Sequence, residues 1–143
     1  MKRLVKIKVV VALLLGLATI GTVGAGSALA SNDKWGYSFT IKANQANSHS
    51  GKRYRQTTNT DNRWKVNLQS SNEKGKGTYT RFWLENNSNK NVSPSQNVKE
   101  DGGSYYKYAY SSASRKYVRL TAEDNSYKSE TYHVSGYWDE ETN

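Results

Sequence analysis

The chain has 143 residues, with 21 Lys and Arg against 12 Asp and Glu, a formal net charge of +9, one Pro and no Cys. That length allows one domain of ordinary size, and the lack of Cys excludes disulfide scaffolds, thiol nucleophiles, lipid attachment through Cys and Cys-ligated zinc. Four Trp, eleven Tyr and two Phe, in a chain short of aliphatic side chains, are its less usual feature.

Residues 2–8 (KRLVKIK) are basic, residues 9–20 (VVVALLLGLATI) are an apolar run, and Ala28-Leu29-Ala30 places small residues where a signal peptidase reads them. The pattern predicts a secretory signal peptide over residues 1–30 and an extracellular, secreted product. An uncleaved anchor is the competing reading, but Val9 to Ala30 would barely span a bilayer core of about 30 Å, and its second half is rich in Gly, Thr and Ser. Membrane contact is therefore expected only through the signal, before cleavage. Cleavage after Ala30 removes four basic residues and no acid, which lowers the net charge from +9 to +5. The remainder, residues 31–143, is predicted to be a single domain.

No stretch beyond residue 30 holds an apolar 3.6-residue period. Short alternating runs rich in Thr, Val, Tyr and Trp recur instead between clusters of Asn, Ser and Gly. In chain order the predicted strands are 37–42, 53–58, 63–69, 78–84, a shorter one at 96–100, then 105–110, 116–122 and 129–138. The separators, such as NTDN, SSNEKGKG and SSAS, have turn chemistry. Seven to eight short strands imply an all-β fold, a small antiparallel β-sandwich of Ig-like or jelly-roll-like form.

Alternation also suggests which side chains face outward. Trp64, Val66 and Leu68 should face the core. If strand 53–58 pairs with them through a five-residue loop at 59–63, Thr58 lies opposite Trp64, Gln56 opposite Val66 and Tyr54 opposite Leu68, and Arg53 and Arg55 stay outside. A four-residue turn would drive both arginines inward. The same logic pairs Tyr108 with Val118 and Tyr106 with Leu120, leaving Lys107 and Arg119 outside. In strand 78–84 the face of Arg81 should be outside, because an unpaired buried charge is costly. Tyr79 and Trp83 would then be exposed beside it. The candidate ligand-binding residues are Arg53, Arg55, Lys65, Tyr79, Arg81 and Trp83.

Only nine Val, Leu and Ile lie beyond residue 30, whereas a domain this size needs roughly 25 to 30 buried residues to offset chain entropy. Most of the 17 aromatic residues must therefore be core. The basic balance has a bland reading as solvation and protection of sheet edges, and a functional one as attraction to polyanions. Outside a cell those are anionic wall polymers, glycans and lipid headgroups. A natural role on nucleic acid does not fit a secreted chain.

Chemistry is thinly represented. His133 should be on the outer face of a strand and His49 in a loop. No HExxH or G-x-S-x-G spacing occurs, and no cofactor is indicated. The carboxylates lie mostly in turns or at strand ends, and Asp139, Glu140 and Glu141 are expected to fray at the terminus. Glu123-Asp124-Asn125 could offer oxygens to calcium, although a turn prefers these residues without any metal. No catalytic or metal-ligating residue is assigned, and the chain reads as a non-enzyme.

The segments GKRYRQTTNTDNRWKVNL, GTYTRFWL, YYKYAYSSASRKYVRL and VSGYWDEET together resemble a family of small secreted proteins of Gram-positive bacteria that is classed as a domain of unknown function. That resemblance brings no activity and no site residues. The chain is also similar in texture to secreted bacteriocin-like proteins encoded beside export systems. The expected function is a secreted, non-enzymatic binding protein for an anionic or glycan component of the bacterial cell envelope. The alternatives are a bacteriocin-like toxin or its antagonist, and a secreted wall hydrolase.

Overall fold

The computed structural model describes residues 32–75 and 77–143. The predicted signal peptide lies outside the described residues. Eight strands carry nearly all the regular structure: β1 Trp35–Ile41, β2 Ser48–Arg55, β3 Trp64–Ser71, β4 Tyr79–Asn86, β5 Gln96–Lys99, β6 Ser104–Lys107, β7 Lys116–Asp124 and β8 Tyr132–Asp139. Each predicted strand corresponds to one of them. β2 starts earlier than expected, inside the Asn/Ser-rich stretch, and so includes His49. A register shift between His49 and Lys52 accommodates the break.

The strands form two four-stranded antiparallel sheets, ordered β1-β8-β3-β6 and β2-β7-β4-β5. Within them β1 pairs with β8, β2 with β7, β3 with β6 and β4 with β5. This nesting is one long antiparallel hairpin rolled upon itself, which is the jelly-roll arrangement of a β-sandwich. The β2–β3, β4–β5 and β6–β7 connections therefore gather at one end of the sandwich. The chain's arrival before Trp35 and its tail after Asp139 lie at that same end.

The core between the sheets follows from alternation. Trp35, Trp138, Val66 and Tyr105 share the inner face across sheet one, and Phe82, Ala122, Leu84 and Leu120 share it across sheet two. All nine aliphatic residues beyond residue 30 are buried, joined by Trp64, Trp138, Phe82, Tyr37 and Tyr132. Ten of the 17 aromatic rings are thus wholly or partly buried, as the shortage of aliphatics requires.

The predicted hairpins are corrected by the structure. β2 does not pair with β3; the two lie in different sheets, and Arg53 and Arg55 take the register of Val118 and Lys116 on β7. Both arginines therefore share the inner-facing phase with Val118, and Tyr54 points outward opposite Tyr117. Nor does β6 pair with β7, so Tyr106 and Tyr108 are exposed rather than packed on Leu120 and Val118. An inward arginine is costly only where it lacks partners. The rolled topology supplies them, Trp35 for Arg53 and the distant tail for Arg55.

That tail is the second correction. Asp139, Glu140, Glu141 and Thr142 are buried, not frayed. Glu141 accepts the backbone N–H groups of Gln56 (3.2 Å) and Thr57 (2.7 Å), Thr142 donates to the Arg63 carbonyl, and Asn62 donates to the Thr142 carbonyl.

Candidate functional site

The six sequence candidates do not share one face. Arg53 lies with its guanidinium 3.6 Å from the centre of the Trp35 ring, a cation–π stack that ties the two sheets together at their margin. Arg55 is 1% exposed and donates to three backbone carbonyls, those of Glu140 (2.5 Å), Asn62 (2.6 Å) and Asn59 (3.2 Å). Burial works against its positive charge, and the nearby Glu141, Glu140 and Asp139 favour it. Lys65 is on the outer face of the other sheet but is buried, 3.6 Å from Asp139 and donating to Asn32 Oδ1.

The β4 trio does share a face, as alternation predicted. Tyr79 is exposed, while Arg81 is held by Glu123 at 2.9 Å and by the Asn125 carbonyl. Trp83 is only 6% exposed, and its indole N–H donates to Glu85 Oε1. Glu85 is a buried carboxylate that strand-end reasoning missed. It also accepts from Asn47 and Arg119, with His49 3.7 Å away. Desolvation and the Arg119 charge hold the His49 pKa below its ordinary value. Every member of this cluster has a structural partner, so it braces the outer face.

The free surface chemistry sits elsewhere. Seven large hydrophobic side chains are exposed among the described residues, all of them tyrosines. Five lie at the end where the β2–β3, β4–β5 and β6–β7 connections meet: Tyr54, Tyr106, Tyr108, Tyr110 and Tyr117, each 42–53% exposed. Tyr54 and Tyr117 stack edge to face at 5.2 Å, and Tyr108 and Tyr110 do so at 6.0 Å. Strand register places the first pair, since Tyr54 and Tyr117 are direct cross-strand partners on the outer face. A short 3₁₀ turn at Ser111–Ala113 places the second.

Cations are interleaved with these rings. A groove of about 390 Å³ runs between Tyr54, Tyr117, Arg115, Lys116 and the Asn86–Ser88 turn. A second, of about 490 Å³, is lined by Arg63, Lys107, Tyr106, Tyr108, Thr60 and Asp61. Arg63, Lys90, Arg115 and Lys116 are exposed here and Lys107 is half-buried, whereas Asp61 is the one exposed acid at this end among the described residues. The sequence signal was the density of Tyr and basic residues around SSAS, and the mistaken hairpin hid it by turning Tyr106 and Tyr108 inward.

The tail buttresses this end from beneath. Burial pushes the Asp139 carboxyl up to about 6, opposed in part by the Glu141 N–H and Lys65. Burial, with Asp139 and Glu141 nearby, pushes Glu140 up to about 7. Among the described residues no group of three His, Cys, Asp or Glu could hold a metal ion, and no helix is long and apolar enough to cross a membrane.

No curated protein and no solved structure matches the chain. One family does, over residues 25–142, and the chain belongs to it: the family described as Protein of unknown function (DUF2712).

Proposed function

We propose that this is a secreted, non-enzymatic protein that binds an anionic or glycan component of the bacterial cell envelope. The supporting observation is the concentration of five exposed tyrosines and five cations, with two open grooves between them, at one end of a rigid sandwich. Tyrosine offers an apolar face with a polar tip, suited to sugar rings, and the cations supply attraction to acidic groups at long range. The grooves are shallow and lack a paired-carboxylate or nucleophile constellation, which supports binding over catalysis. The surface proposed for the ligand is accordingly this end rather than the β4 face of Tyr79, Arg81 and Trp83.

The test is retention of the chain from Ser31 onward, which contains both sheets and the core between them, on purified cell walls. Walls with and without their anionic polymers are compared at low and high salt. Retention that needs the polymers, or that survives their removal through the glycan, supports the proposal. Absence of retention at every salt concentration removes it.

A further inference from the structure

The tyrosine-bearing end is also the end at which the chain arrives from residues 1–31. Asn32 is held there by Lys65, beside Asp139, immediately before β1 begins at Trp35. Residues 9–20 are an apolar run preceded by four basic residues. The twelve residues from Ile20 to Asn32 can span at most about 40 Å when fully extended. While the leader is attached, any bilayer that holds the apolar run lies within that distance of Asn32, at the end of the sandwich that also carries Tyr54, Tyr106, Tyr108, Tyr110 and Tyr117.

The chemistry of the end matches such a surface. Tyrosine is enriched at the level of lipid headgroups, where its ring lies among apolar carbons and its hydroxyl among polar groups. Exposed Arg63, Lys90, Arg115 and Lys116 would face acidic headgroups, with Asp61 the one exposed acid opposing them among the described residues. Among the described residues the far end offers no comparable face, because it exposes two tyrosines, Tyr79 and Tyr127, and its exposed cations Lys42, Lys74, Lys99 and Lys128 are mixed with exposed Asp101 and Glu130.

We infer that the Tyr54–Tyr117 and Tyr106–Tyr110 end of the sandwich docks against an anionic phospholipid surface. This rests on the envelope-binding proposal and narrows its anionic component to lipid headgroups. It extends membrane contact from the leader to the folded domain.

The absence of Cys makes the test clean, since single cysteines can carry a fluorophore. In the chain from Ser31 onward, Ser112→Cys labels the tyrosine end and Ser129→Cys the opposite end; both serines are exposed. Vesicles of equal parts phosphatidylglycerol and phosphatidylcholine, and vesicles of phosphatidylcholine alone, carry quenchers on the lipid. The expected result is quenching of the label at 112 and not at 129, only in the anionic vesicles and weakening with salt. Removing cations with the double variant Arg115→Gln, Lys116→Gln should lower vesicle association about fivefold per charge. The double variant Lys74→Gln, Lys99→Gln at the far end should leave it unchanged. Lack of association, equal quenching at both labels, or equal weakening by both double variants overturns the inference. If the same preparation is retained on walls but not on anionic vesicles, the inference falls and the envelope-binding proposal stands. If neither surface retains it, both fall.

Discussion

Arg55 is surrounded by acceptors from two separate stretches of chain: the Asn59 and Asn62 carbonyls of its own loop and the Glu140 carbonyl of the tail. Replacing it with Met leaves those carbonyls without donors and the neighbouring carboxylates without a counter-charge. A loss of about 3 kcal/mol in urea-unfolding free energy is expected, and Arg55→Lys should recover little because an ammonium cannot reproduce the planar fork. Gly136 is a second sensitive position. A Cβ there would run into the Asn67 carbonyl and lie 2.8 Å from the Tyr37 hydroxyl, which itself donates to that carbonyl. Gly136→Ala should cost about 2 to 3 kcal/mol, as overpacking of a closed site does, with a matching fall in melting temperature. Neither residue announces its role in the sequence, since the groups that constrain it come from distant strands.

Among the elements, the C-terminal Glu140–Thr142 segment acts as a clip on the β2–β3 connection. Glu141 accepts the Thr57 amide at 2.7 Å, so that amide should exchange slowly with solvent. Glu141→Ala is expected to release Thr57 to fast hydrogen exchange and to destabilise the fold by about 1 to 3 kcal/mol, with both loop amides left without their acceptor. Unchanged Thr57 protection would show that the clip is not what orders the loop. The strands themselves were legible from sequence because alternation is a local signal: Trp64, Val66 and Leu68 declared their inner face, and so did the outward phase of Arg81. What was not legible was partner choice. The period-two pattern of β2 fits any neighbour, and the costly inward phase of Arg53 and Arg55 becomes acceptable only once Trp35 and the tail are in place.

At the scale of the whole molecule, the buried acids of the tail give stability a definite pH dependence. Asp139 and Glu140 ordinarily titrate at 3.8 and 4.5 but in the fold do so at about 6 and about 7. Between those limits the folded chain holds more protons than the unfolded one, so stability falls as pH rises from about 4 to about 7 and stays low above that. The unfolding free energy at pH 8 should be on the order of 5 kcal/mol below that at pH 4.5 from these two groups. Glu140→Gln should raise the melting temperature at pH 8 and change it little at pH 4.5. Equal effects at the two pH values would assign the gain to something other than the buried charge. The candidate surface is a property of this same scale. Tyr54, Tyr108 and Arg115 become neighbours only when three connections are brought to one end, and a linear sequence shows them merely as frequent.

The nesting of β1 with β8 sets an order of events for a chain made from its N-terminus. Trp35 pairs with Trp138, so the first strand to emerge has no partner until the last one does. β8 is also the shared neighbour of β1 and β3, which means that the first sheet lacks one of its two interior strands until β8 has been made. Such remote pairing makes folding slow, on a scale of milliseconds to seconds. In the secreted role proposed above, a polypeptide that cannot close prematurely would stay extended while it is threaded through an export pore, and would become compact only after β8 has passed.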